Sequence, residues 1–263
     1  MPDANLTSAD QNPDAITLPR AILFDLDDTI LAAGQRLEVL RLVAREFEPE
    51  LAPLQPDDVA ERLDAALAEF WSDSVRHKIA RFGISQARRQ VIADAFIATG
   101  LEHMTEELAE RFAASFTAYR DQLTDFFPGA RETIETLKAR GVLLALVTNG
   151  GAEGQRAKIE RFSIAPLFNH IQIEGEHEFG KPDERAYLHA MNALGVEPHE
   201  TWMVGDNLEW EVAAPQRLGI FAIWHDGFGK GLPEGSSVRP DRIIRAISEL
   251  LKAECLRWGL DSP

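Results

Sequence analysis

The chain alternates short, wholly apolar runs with longer stretches of helical period. Residues 21–24 (AILF) are apolar without a break and end in acid at Asp25. Runs of this length suit strands buried on both faces of a parallel sheet. Similar runs occupy 142–147 (VLLALV), ending at Thr148 and Asn149, and 201–204 (TWMV), ending at Gly205 and Asp206. Residues 220–224 (IFAIW) and 170–173 (HIQI) predict two more strands. Helical patterns lie between them. The 131–140 pattern stops at Gly141, a residue that ends helices by accepting the left-handed conformation. Pro182, Asp183 and Glu184 read as a helix start, with proline first and acids in the first turn. The alternation predicts an α/β fold with a mainly parallel sheet.

Residues 32–128 break this alternation. Leu37, Leu40, Val43, Ala44 and Phe47 share one helical face. So do Val59, Leu63, Leu67 and Phe70, and again Leu108, Phe112, Phe116 and Tyr119. Such stripes are the ordinary mark of helix–helix packing, which is favoured here over a ligand groove. An all-helical insert therefore separates the first strand from the second, and Pro128-Gly129 marks the return. Residues 20–31 and 129–254 make up the α/β core. Residues 1–19, rich in Asn, Asp, Pro and Ser, read as a flexible tail, and 255–263 as a C-terminal one.

Composition narrows the functional classes. The chain has 263 residues, 45% of them hydrophobic, with 27 basic against 43 acidic residues and a net charge of −16. That balance disfavours nucleic acid as a bulk partner and anionic membrane surfaces, since both demand a basic face. A single cysteine, Cys255, excludes an intramolecular disulfide and cysteine-rich zinc modules. The first 19 residues lack the positive start and apolar run of a signal peptide, and no apolar stretch reaches transmembrane length. A cytoplasmic protein is the expectation. The oligomeric state stays open.

Each predicted strand ends in groups of chemical interest, and ligands in open α/β sheets bind beyond those ends. Asp25 and Asp27 sit two residues apart, so both can project to one side of an extended segment. Such carboxylates repel and want a cation or a shared proton, although a lone Asp-x-Asp is more often a helix cap or acidic turn. Thr148 and Asn149 could cap a helix or offer a hydroxyl and backbone N–H groups to an oxyanion. Lys181, taken alone, is a surface lysine, and Asp206 to Glu211 an acidic turn. Gly175 to Lys181 imitates the start of a phosphate-binding P-loop. The next residue is Pro182, with no hydroxyl for magnesium, so that reading fails. Gly227 to Gly231 lacks dinucleotide spacing and reads as a loop.

Taken in order, FDLDDTIL (24–31), LVTNG (146–150), GKPD (180–183) and VGDNLEWEV (204–212) resemble the haloacid dehalogenase (HAD) superfamily of phosphohydrolases. The likeness covers about 20–250 and includes a helical insert like that family's cap. It implies a Rossmann-like parallel sheet core with an inserted all-helical cap domain. It further implies Asp25 as nucleophile, forming an aspartyl-phosphate, and Asp27 as general acid/base. Thr148 and Asn149 would hold the phosphoryl oxygens, with Lys181 neutralising charge. Mg²⁺ would bind Asp25, the Asp27 carbonyl and Asp206. Glu211 stands where the family usually has a second Asp, and its carboxylate is expected to serve the metal site. Asp27 favours a phosphate monoester over a carbon–halogen bond, because a dehalogenase has no oxygen leaving group to protonate. A sugar-phosphate mutase, a 2-haloacid dehalogenase and a non-catalytic binding module are the alternatives.

From Ser74 to Ala93 the insert carries no acid but holds Arg76, His77, Lys78, Arg81, Arg88 and Arg89. A solvated basic helix face is the common explanation. The other is an anion-binding face in which Arg76, Lys78 and Arg81 meet a carboxylate or second phosphate of a small phosphorylated metabolite.

Overall fold

The computed structural model describes residues 18–73, 76, 79–98 and 105–252. Its sheet has six parallel strands: β1 (Ala21–Phe24), β4 (Leu143–Thr148), β5 (His170–Ile173), β6 (Thr201–Gly205), β7 (Phe221–His225) and β8 (Arg242–Ile244). They lie in the order β5-β4-β1-β6-β7-β8. After β1 the chain runs outward through β4 to β5, then returns to the other side of β1 as β6. The topological switch point therefore falls between β1 and β6, where Phe24 pairs with Val204.

Continuous apolar runs follow from burial on both faces. Ile22, Phe24, Leu144, Leu146, Trp202 and Val204 enter the core on one side. Ala21, Leu23, Ala145, Val147 and Met203, one residue out of step, enter the core on the other. The Ala130–Ala139 helix covers the first face through Ile134 and Leu137 and ends before Gly141, whose φ is +85°. The Glu184–Leu194 helix covers the second through Ala186, Tyr187, Ala190 and Met191. This helix begins two residues later than the Pro182 signal implies. The Asp183 carboxylate accepts from the Arg185 N–H at 3.0 Å, so Asp183 is the cap and Pro182 lies in the loop before it.

Between β1 and β4, helices Arg36–Glu46, Glu48–Leu51, Pro56–Ser72, Ile84–Ala98 and Glu106–Leu123 build a separate apolar cluster. The predicted stripes supply it: Leu40, Val43, Leu63, Leu67, Phe112 and Phe116 are all buried there. The two chain crossings pair with each other as a small antiparallel ribbon, β2 (Leu31–Ala32) against β3 (Asp125–Phe126). None of the helices described is long and apolar enough to cross a membrane. Residues 1–17 of the N-terminal tail expected over 1–19, and the tail expected over 255–263, lie outside the described residues.

A buried ion pair ties the helical insert to the sheet. Arg81 donates to the Glu174 carboxylate, with both side chains buried, and its guanidinium lies 5.5 Å from the Trp210 ring centroid. The other Glu174 oxygen accepts from the Gly150 N–H at 3.1 Å. Arg81→Ala leaves a buried carboxylate without its cation. We expect it to cost about 3–5 kcal/mol in chemical denaturation. A loss below about 1 kcal/mol, typical of an exposed pair, would show that the clasp is loose in solution.

Candidate active site

Asp25 follows the last residue of β1, and its N–H donates to the Val204 carbonyl at 3.0 Å, continuing the ladder past the strand end. Its Oδ1 accepts from Lys181 Nζ at 2.6 Å and its Oδ2 from the Thr29 hydroxyl at 3.3 Å. Lys181 is 0% exposed. Its ammonium also meets Glu211 Oε1 at 2.7 Å, so one buried cation lies between two carboxylates. Burial by itself would drive Lys181 toward neutrality, but the charges of Asp25 and Glu211 outweigh it and hold its pKa above the ordinary value. Burial pushes the Asp25 carboxyl up, against the pull of Lys181.

Local sequence chemistry makes this arrangement possible. Asn149 clamps the backbone of Lys181 in both directions. Its Nδ2 donates to the Lys181 carbonyl at 2.7 Å, and its Oδ1 accepts from the Lys181 N–H at 2.9 Å. After β6 the chain turns at Asn207, whose Oδ1 accepts from the N–H groups of Glu209 and Trp210 at 3.0 and 3.1 Å. A π-helical turn, Leu208–Ala213, then brings Glu211 back over Gly205. A Cβ on Gly205 would fall 2.0 Å from Glu211 Cγ, so only glycine admits this return. Glu211 Oε2 accepts from the Asn207 N–H at 2.7 Å. Both Glu211 oxygens are thus engaged, one by Lys181 and one by the turn. Burial raises its pKa to about 7.

Asp27 stands on the other side of Asp25. Lys158 Nζ reaches both of its oxygens, at 2.6 and 2.8 Å, and Gln155 Nε2 reaches Oδ2 at 2.9 Å. Burial pushes Asp27 up, but Lys158 and the Gln155 hydrogen bond more than offset it and hold the carboxyl below the ordinary range. Gln155 also donates to the Thr148 hydroxyl oxygen at 2.5 Å, which leaves the hydroxyl proton of Thr148 available for another acceptor. Asp206, beyond the end of β6, has its carbonyl bonded by Trp224 Nε1 at 2.6 Å. Burial, then the charges of Glu211, Asp25 and Asp28, push its carboxyl well above the ordinary value.

The structure thus brings Asp25, Asp27, Thr148, Asn149, Lys181, Asp206 and Glu211 to one end of the sheet, and it gives Arg76 and Arg81 of the insert different partners. Arg76 is exposed and lies 3.6 Å from Asp73. Arg81 is consumed by Glu174. Lys78 lies outside the described residues. Gln155 and Lys158 were not singled out from the sequence. The signal was their spacing of three, which puts both on one face of the Ala152–Arg161 helix that follows Thr148. Glu174, which holds the Gly150 turn, carried no sequence signal.

Comparison with known proteins agrees with this geometry. The sequence profile of the haloacid dehalogenase-like hydrolases matches residues 19–219. A phosphoserine phosphatase of Thermus thermophilus is 31% identical over 90% of this chain and all of its own length. An N-acylneuraminate-9-phosphatase of Rattus norvegicus is 29% identical over 88% of this chain and 92% of its own. A magnesium-bound HAD-hydrolase of Bacillus subtilis shares the fold, with a TM-score of 0.65 at 22% identity over 89% of this chain and 97% of that one. With its six-stranded parallel sheet and motif-bearing strand ends, the chain belongs to the family of haloacid dehalogenase-like hydrolases.

Proposed function

We propose that the protein is a Mg²⁺-dependent phosphohydrolase that cleaves the phosphate monoester of a small metabolite through an aspartyl-phosphate on Asp25. The observation that carries this reading is the paired provision at the end of β1. Asp25 has a buried ammonium, and two residues later Asp27 has a cation of its own. The phosphatase names of the relatives support the same reaction class.

The residues suit the metal. Asp25 and Asp206 follow neighbouring strands, and Asp206 is crowded by three other acidic groups, an arrangement that favours a cation. No three carboxylate or imidazole groups converge as a metal cluster among the described residues. Magnesium asks for only one or two carboxylates, the rest of its shell being carbonyl and water. Asp25, Asp206 and the Asp27 carbonyl would hold it. Glu211, with both oxygens engaged, would act by fixing Lys181 and the Asn207 turn. When bound, Mg²⁺ would polarise a phosphoryl oxygen and offset its charge.

The chain's own groups divide the work. Lys181 pins Asp25 Oδ1, so Oδ2, held only by a 3.3 Å hydrogen bond from Thr29, forms the bond to phosphorus while the bond to the leaving oxygen breaks. Asp27 gives that oxygen its proton. It then takes a proton from the water that attacks phosphorus and frees Asp25. The lowered pKa keeps Asp27 ionised, the form that the second role requires. For the first, Asp27 takes up a proton from solvent when an arriving phosphate draws Lys158 toward itself and the pull on the carboxylate weakens. Thr148 donates its free hydroxyl proton to a phosphoryl oxygen. Asn149 holds Lys181 through its side chain and offers its backbone N–H to the phosphate.

Two outcomes follow for activity. Asp25→Asn should keep its circular dichroism spectrum and release no phosphate from p-nitrophenyl phosphate, and chelation of Mg²⁺ should silence the wild type reversibly. Retained turnover in either case refutes the mechanism. Asp27→Asn should lower kcat for alkyl phosphates by about 10²- to 10⁴-fold. With the aryl ester, whose leaving group needs no proton, it should give a burst of about one equivalent of nitrophenolate before slow turnover. Steady turnover at the wild-type rate would remove Asp27 from the acid/base role.

A further inference from the structure

Two arginines line the space between the helical insert and the strand ends, and the described residues give neither an ion-pair partner. A cavity of about 470 Å³ lies there, in the size range of sites for small metabolites. Its charged lining is Arg36, Arg88, Arg120 and Lys230 against Asp28 and Asp64. That is a local positive surplus in a chain of net charge −16. Arg36 is already spent on Asp64, Nε to Oδ1 at 2.6 Å. The Nε of Arg120 is buried without a hydrogen-bond partner. The Arg88 guanidinium lies 5.7 Å from the Phe116 ring centroid.

Both guanidiniums are held below their ordinary range. Burial, then the charge of Arg120, push Arg88 down to about 10. Burial likewise pushes Arg120 down, against the pull of Asp28 and Asp27. Like charges held together and partly desolvated are unfavourable unless an anion bridges them. Guanidinium forks suit the paired oxygens of a carboxylate or phosphate. Asp28, next to Asp27, also lines the cavity, so it begins at the reacting end of the site. Much of the remaining wall is apolar, with Leu67, Trp71, Phe116 and Phe228, and matches a carbon skeleton better than a polyhydroxylated one.

We propose that this cavity takes the far end of the substrate, a second anionic group received by Arg88 and Arg120, while the carbon skeleton leading to the phosphoryl group lies on the apolar wall. The inference rests on the phosphohydrolase reading of the neighbouring carboxylates. It replaces Arg76 and Arg81 as the anion-binding groups, and it makes the preferred substrate a phosphate monoester with two charged ends.

The test is a series of ω-phosphooxy carboxylates of increasing chain length, each compared with the methyl-terminated alkyl phosphate of equal length. In the full-length wild type, kcat/KM should favour the carboxylate by about 10- to 100-fold at one optimum length. The ratio should collapse toward one in Arg88→Gln and in Arg120→Gln, checked for folding by thermal melting. The two lie on different helices, so misfolding of one leaves the other as the test. A matching series of α,ω-bisphosphates tells whether the second group is carboxylate or phosphate. Calorimetric binding of ω-phosphonocarboxylates and alkyl phosphonates separates the two readings. If no ester turns over but phosphonocarboxylate binding weakens by about tenfold in both variants, the catalytic reading fails and the anion site stands. If alkyl phosphates turn over and the second charge brings no gain in rate or binding at any length, or a gain that both variants retain, the anion site is refuted.

Discussion

The site depends on one buried ammonium. Taking a lysine wholly out of water costs several kcal/mol unless opposite charge and hydrogen bonds replace the solvent. Lys181 meets that demand with Asp25 on one side and Glu211 on the other, both within 2.7 Å. The requirement propagates outward. Glu211 reaches Lys181 only because the chain doubles back over a residue without a side chain, Gly205. The turn that returns it is capped by Asn207, and the loop that delivers Lys181 is clamped by Asn149. Three strand ends are thereby fixed relative to one another by polar contacts, in a region where the apolar core has already ended.

Charge is divided unevenly around this centre. Asp25 and Glu211 exceed the single positive charge of Lys181, and Asp206 adds another acidic group nearby. The floor of the site is acidic and fits a divalent cation on the proposed reading. Asp27 is different, because Lys158 neutralises it locally and keeps it ionised. Two carboxylates two residues apart are thus driven in opposite directions, Asp25 up and Asp27 down. Separation of this kind is how one site assigns distinct roles to chemically identical groups.

The sequence made the floor legible and the roof obscure, for a physical reason. A strand buried on both faces can carry little but apolar residues, so β1, β4, β6 and β7 read as largely apolar runs, while β5, an edge strand with His170 and Gln172, gives a weaker pattern. Asp25, Thr148 and Asp206, at the ends of the β1, β4 and β6 runs, lie at the site. β8, only three residues long and beginning with Arg242, escaped because an edge strand needs no such run. Position alone leaves Lys181 a surface lysine and Asp206 part of an acidic turn; the roles of Asp25, Thr148, Lys181 and Asp206 come from the resemblance of the four ordered motifs to the haloacid dehalogenase family. Gln155, Lys158 and Glu174 were missed, because a polar residue on an amphipathic helix or at a loop looks like any solvated one. Their roles arise from approaches across 128, 131 and 93 residues of chain. The basic window of the insert misled for the same reason. Sequence proximity grouped Arg76, Lys78 and Arg81, whereas folding sent Arg81 to Glu174 and set Arg88 beside Arg120 on a different helix.

A net charge of −16 would seem to oppose an anionic substrate. At physiological ionic strength, fields fade over about 8 Å, so a substrate at the cleft feels its immediate lining far more than the distant surface. That lining is reversed in sign. Arg36, Arg88, Arg120 and Lys230 outnumber Asp28 and Asp64 among the residues that line the cavity. The surface acids weaken contact with polyanions at large. The cavity cations act where water is partly excluded and each charge counts for more. On the proposed reading, a small ester with an anion at each end would experience the second environment, while a large polyanion would meet only the first. Discrimination between the two classes of phosphate would then follow from where the charges lie, with no base- or sugar-specific contact required.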